Sequence, residues 1–253
     1  LNATGVILHS GLGRAPMAPV ATEAIARAGG YSLLEVDRTK GDRHPRDARA
    51  AAMLCELTGA EAALVVNNNA AATLLILSTL AQGLEVICSR GEMVEIGGSF
   101  RIPDVMEVSG CNLVAVGTTN KTHLADYENA ITKDTGALLV VHTSNYRIVG
   151  FTSSPPLSEI SKLARDRGLP CIHDLGSGSL LSPEELGMGD EPPVGRSFSD
   201  GADVVCMSGD KLLGGPQSGI ILGTEELVER MRNHPLARAL RIDKMTVAAL
   251  EAT

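Results

Sequence analysis

From Asp47 onward, short apolar runs alternate with stretches of helical periodicity, and this alternation constrains the fold more than any other feature. Apolar runs over 62–66, 85–88, 113–116, 137–142, 171–173, 204–207 and 219–222 read as strands. Helical stretches over 47–57, 70–81, 126–131, 157–167 and 225–232 are interleaved with them. Alternation at this spacing predicts an α/β fold, a mainly parallel sheet with helices on both faces. Aromatic residues are only 2% of the chain and Trp is absent, so the core must be built from Ala, Val, Leu and Ile. That composition suits parallel strands covered on both sides. At 253 residues the chain is long enough for one large domain of this kind.

Residues 1–46 are rich in Gly, Arg and polar side chains and read as an arm of the core, with a short helix over 18–28 after Pro16. Residues 47–253 read as the large domain proper. The chain starts at Leu1 in structured-looking sequence and stops inside a helical pattern, so both ends read as cut from something longer. A net charge of −8 argues against a broad nucleic-acid surface on this segment. The five cysteines are odd in number and far apart with no C-x-x-C, which argues against zinc and disulfide frameworks. Most lie in apolar runs, as small buried hydrophobes of a reduced, cytoplasmic compartment. There is no signal-peptide pattern and no apolar stretch of membrane length.

Two of the apolar runs end in residues that carry chemistry. The run from Ala202 ends at Ser208-Gly209-Asp210-Lys211, and the run from Leu169 ends at His173-Asp174. Open α/β sheets bind ligands at the carboxyl edge of their strands. A lysine and an aspartate meeting there suit pyridoxal 5′-phosphate. The amine holds the aldehyde as a Schiff base, and the carboxylate keeps the pyridinium nitrogen protonated. Gly214 and Gly215, just after Lys211, let backbone approach a flat ligand. Alternatively Lys211 is a surface turn lysine and Asp174 a turn or cap residue; the two assignments stand or fall together. His173 should face away from Asp174 as a structural residue.

Asn67-Asn68-Asn69-Ala70 follows one strand and opens a helix. Free N–H groups and the helix dipole make Asn68, Asn69 and Ala70 a candidate cradle for the cofactor phosphate, with plain helix capping as the other reading. Ser208 could donate to the same phosphate. Asn145, in the loop after strand 137–142, is either an ordinary loop residue or a donor to the cofactor's phenolic oxygen. Arg238 and Arg241 are spaced to share a helix face and clamp one anion. Arg14 lies in a Gly-flanked loop; a solvated, salt-bridging face is the default for any one of these arginines.

Segments 2–6, 12–16, 65–71, 89–92, 95–104, 142–151, 174–178 and 208–217 together closely resemble the bacterial selenocysteine synthase family, the L-seryl-tRNA(Sec) selenium transferases. The resemblance runs over essentially the whole chain. It implies the large domain of a fold-type I pyridoxal-phosphate transferase with a seven-stranded type of sheet, and Lys211 as the Schiff-base lysine. It also implies conversion of seryl-tRNA(Sec) to selenocysteinyl-tRNA(Sec) with selenophosphate, through an aminoacrylyl intermediate. Arg14, Arg238 and Arg241 would line the selenium-donor pocket. The family carries an amino-terminal tRNA-gripping domain and a carboxyl-terminal small domain, neither expected in this chain. It assembles as rings of dimers with shared sites, so a homo-oligomer is implied. Two rivals stay open: a related pyridoxal-phosphate lyase acting on a small phosphorylated amino compound, and an inactive fragment serving as an oligomerisation core.

Overall fold

The computed structural model describes residues 2–97, 100–182, 185, 187 and 191–253. Seven strands form the main sheet: β1 (Ala62–Val66), β2 (Glu85–Ser89), β5 (Asn112–Val116), β6 (Thr135–Val141), β7 (Cys171–Gly176), β8 (Val204–Ser208) and β9 (Gly219–Gly223). Their spatial order is β1-β9-β8-β7-β6-β2-β5. Every neighbouring pair is parallel except those of β9, which runs antiparallel to both β8 and β1. A two-residue pair, β3 (Glu95–Ile96) and β4 (Phe100–Arg101), forms a small separate hairpin. The mainly parallel sheet is as expected from the sequence. The reversed β9 is not, and its cause is the connection. Only a glycine-rich turn joins β8 to β9, too short for a crossover helix, so the chain must double back.

The helices are α1 (Pro19–Ala28), α2 (Ala48–Thr58), α3 (Asn69–Leu80), α4 (Ile102–Ser109), α5 (Leu124–Ala130), α6 (Leu157–Asp166), α7 (Val194–Ser199), α8 (Glu225–Arg232), α9 (Pro235–Ala239) and α10 (Lys244–Ala252). Period-two alternation sorts the strand side chains between two faces. Val204 and Cys206 of β8 join the core under α3, α4 and α8, while Val205 and Met207 join the core under α2, α7 and α10. A third cluster around Tyr127, Ile160 and Leu138 lies under α5 and α6. Helix α3 is apolar nearly all round and buries eight residues, as befits a helix at the centre of its layer. Its amino terminus lies against β9 at Gly219, where an added Cβ would come within 2.0 Å of the Asn68 carbonyl oxygen. Glycine at 219 therefore lets the start of α3 sit directly on the sheet edge.

Sequence reading missed α4 and α7, which are short, and put Arg238 and Arg241 on one helix face; α9 ends at Ala239, and Arg241 lies beyond it, bridged to Val66 of β1. Sequence reading also ended the strand carrying Asp174 too early. β7 runs on to Gly176 because Gly176 pairs with Met207 of β8, past an irregularity after Asp174. Among the described residues no helix is long and apolar enough to cross a membrane.

Candidate active site

A cavity of about 470 Å³ opens at the carboxyl edge of β6, β7 and β8, roomy enough for a small ligand. Lys211, Asp174, Asn68, Asn69, Ala70, Ser208 and Arg14 all line it. Residues from segments up to about two hundred positions apart thus meet in one crevice.

Asp174 is buried at its floor. Asn69 Nδ2 donates to Oδ1 at 2.8 Å, and Thr73 Oγ1 lies 3.2 Å from Oδ2. Burial pushes the carboxyl's pKa up, opposed by the Asn69 hydrogen bond, the Lys211 charge and Thr73. Burial also lowers the pKa of Lys211, assisted by the neighbouring Arg14 charge and opposed by Asp174, Asp210 and Glu191. A lysine shifted this way is more often neutral, and a neutral amine is the nucleophile. Between the two stands Gly176 at φ +68°, where an added Cβ would lie 3.8 Å from both Asp174 Oδ1 and Lys211 Nζ. At that distance a methyl would touch both groups, and the left-handed φ disfavours any side chain there.

The start of α3 forms one wall. Asn68 caps the helix by accepting the Ala71 N–H at 2.8 Å, so its side chain serves the helix while the residue lines the cavity. The Asn69 side chain gives one of its two amide hydrogens to Asp174, while its backbone N–H stands at the open start of the helix. Arg14 has φ +63° and places Nη1 at 2.9 and 3.0 Å from the two oxygens of Asp210.

Several lining residues were not singled out from sequence. His142, just past β6, lines the cavity and pairs through Nε2 with Glu191 Oε2 at 3.2 Å. Asp210 is the partner of Arg14, and Thr73 supports Asp174. Thr73 was findable, lying one helical turn beyond Asn69. The His142–Glu191 pair was not, since nothing local links its members.

Asn145, Arg238 and Arg241 are not part of this cavity. Asn145 is exposed, and its amide reaches the Glu95 carbonyl at 3.2 Å. Arg238 and Arg241 line a different cavity of about 550 Å³ beside β1, with Arg43, Arg46 and Arg232. Arg241 Nη1 lies 3.9 Å from Glu35 there. His173 faces away from Asp174, buried, with Nδ1 2.9 Å from Ser197 Oγ. Burial, with a smaller contribution from His142, drives its pKa down to about 4 and keeps it neutral.

The family described as L-seryl-tRNA selenium transferase (SelA) matches this sequence over residues 1–253. The chain belongs to the L-seryl-tRNA selenium transferase family. It is 58% identical over 254 aligned positions to the L-seryl-tRNA(Sec) selenium transferase of Carboxydothermus hydrogenoformans, covering 100% of this chain and 54% of that protein. The enzymes of the same name from Nitratidesulfovibrio vulgaris and Moorella thermoacetica are each 59% identical, with the same coverage. The chain thus spans about half the length of the curated relatives it matches. In fold this selenium transferase family member resembles D-glucosaminate-6-phosphate ammonia-lyase, with a TM-score of 0.77 at 22% identity, covering 96% of this chain and 63% of that one. It also resembles an aspartate aminotransferase of Thermus thermophilus, with a TM-score of 0.64 at 19% identity, covering 94% of this chain and 62% of that one. The seven-stranded, mainly parallel sheet is thus a fold that this chain shares with both of these structures.

Proposed function

We propose that the protein containing this chain converts L-seryl-tRNA(Sec) to L-selenocysteinyl-tRNA(Sec), with selenophosphate as selenium donor and pyridoxal 5′-phosphate as cofactor. The observation that carries the reading is the meeting of Lys211 and Asp174 on either side of the bare Gly176, next to a helix start. The residues fit the cofactor on three counts. Lys211 offers an amine of lowered pKa for the aldehyde. Asp174 offers a buried carboxyl oriented by Asn69 and Thr73, suited to a protonated ring nitrogen. The N–H groups at Asn69 and Ala70 and the Ser208 hydroxyl suit its phosphate.

Bound there, pyridoxal phosphate would supply an electron sink for carbanion chemistry at the α-carbon of the seryl group. Lys211 would then move the α-proton. Asp174, oriented by Asn69 and Thr73, would keep the ring nitrogen protonated. His142 lines the cavity wall. In the net reaction selenium replaces the seryl β-hydroxyl.

Arg14 is the arginine of this chain beside that chemistry, and it is matched to Asp210. A donor held by Arg14 together with Arg238 and Arg241 would therefore lie between two copies of the chain. Exposed apolar side chains on the amino-terminal arm favour such an assembly, among them Ile7 at 70%, Leu33 at 66% and the fully exposed Tyr31. The same reading places the protein in the cytoplasm, where its tRNA substrate is charged.

The test is borohydride reduction of the full-length protein loaded with pyridoxal phosphate, followed by peptide mapping. The adduct should map to Lys211, and Lys211→Ala should abolish it. An adduct on a different lysine overturns the assignment.

A further inference from the structure

An α-carboxylate entering a water-poor cavity needs a fixed cation, best an arginine fork, because burying an unpaired charge is costly. The catalytic cavity has three lining side chains that could serve among the described residues: Arg14, His142 and Lys211. Each is already matched. Arg14 Nη1 is held by both oxygens of Asp210 at 2.9 and 3.0 Å. His142 Nε2 is 3.2 Å from Glu191 Oε2. Lys211 is the residue assigned to the cofactor. Arg147 is exposed and lines the neighbouring cavity, not this one.

Glu191 is ionised in this setting. Burial raises its pKa, but hydrogen bonds from His142 and Ser177, with the charges of His142 and Lys211, outweigh that and set it below the usual carboxylate value. An ionised carboxylate only accepts, so His142 Nε2 carries the proton and spends it on Glu191. The imidazole is then unavailable to an incoming carboxylate, and a negative charge stands behind it.

Resting on the function proposed above, we propose that Glu191 and Asp210 are specificity residues that make this cavity select an amino acid whose carboxyl is esterified and reject the same amino acid with a free α-carboxylate. An ester presents a neutral carbonyl, for which the polar groups of Ser10, Ser144 and Gln217 in the lining suffice. Free serine brings a full negative charge to a place where this chain's own Arg14 and His142 already face the carboxylates of Asp210 and Glu191. The chemistry that distinguishes aminoacyl ester from free amino acid is thus carried by this chain, apart from any grip on the nucleic acid.

The test uses full-length protein loaded with pyridoxal phosphate, titrated with L-serine and with L-serine methyl ester. The readout is the absorbance change as the substrate amine displaces Lys211. The parent should respond to the ester at a concentration at least about tenfold lower than to serine, roughly 1.4 kcal/mol of discrimination. Glu191→Gln keeps the side-chain shape and should narrow that ratio, as should Asp210→Asn, which removes the charge matched to Arg14. Glu191→Asp should restore it. Comparing ratios between variants cancels the difference in amine basicity between the two compounds. An equal response, or none, to the two compounds in the parent overturns the proposal, as does a ratio unchanged in both Glu191→Gln and Asp210→Asn. Absence of the lysine-bound cofactor band itself overturns the underlying function as well, so the two failures are told apart.

Discussion

Asn69 donates its side-chain amide to Asp174 Oδ1 at 2.8 Å across 105 positions of sequence, tying the first turn of α3 to the middle strand of the sheet. The contact gives the start of α3 two jobs. Its backbone faces the cavity, and its second side chain orients the buried carboxylate.

The two neighbouring asparagines should therefore fail differently. Asn69→Ala removes a donor from a buried carboxylate and should weaken cofactor binding by about 1.5–3 kcal/mol. Asn68→Ala removes a helix cap and should lower folding stability by about 1 kcal/mol, with a smaller effect on cofactor affinity. Cofactor titration by absorbance and urea denaturation of both variants separate the effects. Equal cofactor losses would show that the Asn69 side chain has no special tie to Asp174.

Gly176 separates Asp174 from Lys211 at φ +68°. Gly176→Ala puts a methyl into the space between carboxylate and amine and adds about 1–2 kcal/mol of left-handed backbone strain. Cofactor loading should fall well beyond what the stability loss accounts for. Full loading at unchanged affinity would mean that the cofactor does not pass between these residues.

Glu92 is buried beneath the end of β6, where its Oε2 accepts the Val141 N–H at 2.9 Å. Burial pushes its pKa from 4.5 up to about 7. The folded state then binds more protons than the unfolded state between these values. The contribution of Glu92 is full below pH 4.5 and is lost as pH rises through about 7. Glu92→Gln keeps an acceptor for Val141 without the charge. Relative to the parent it should gain stability across that window, reaching on the order of 3 kcal/mol above it. Urea denaturation of both proteins at pH 5 and pH 8 checks this. A difference independent of pH would show that Glu92 ionises normally.

Arg238 and Arg241 share no lining residue with the Lys211 cavity of their own chain. If they serve a neighbouring copy, Arg241→Ala and Lys211→Ala proteins, each inactive alone, should regain selenium transfer when assembled together. Each arginine variant alone should lose selenium addition more than loss of the seryl hydroxyl. Removing one charged partner of a buried anion costs about 2–5 kcal/mol. A mixture no more active than its components would place these arginines outside catalysis.

The strands, the helix that begins after Asn68, the lysine beyond β8 and the aspartate of β7 were legible in the chain itself. Apolar periodicity and turn residues are local signals, and the alternation 62–66, 70–81, 85–88 reports backbone preference directly. What local signals do not carry is which distant side chains meet. Arg14 pairs with Asp210 across 196 positions, and Asn69 with Asp174 across 105, because the strand order places β7 and β8 side by side beneath the start of α3. The same three-dimensional order leaves Arg238 and Arg241 beside β1, though the family resemblance groups them with Arg14 as candidate anion ligands. The reversal of β9 has the same origin, since a turn without a helix is read only once its flanking strands have found partners. Sequence by itself determined the elements and the residue types able to do the chemistry. Tertiary structure decided their neighbours, because burial and charge pairing depend on distances through space.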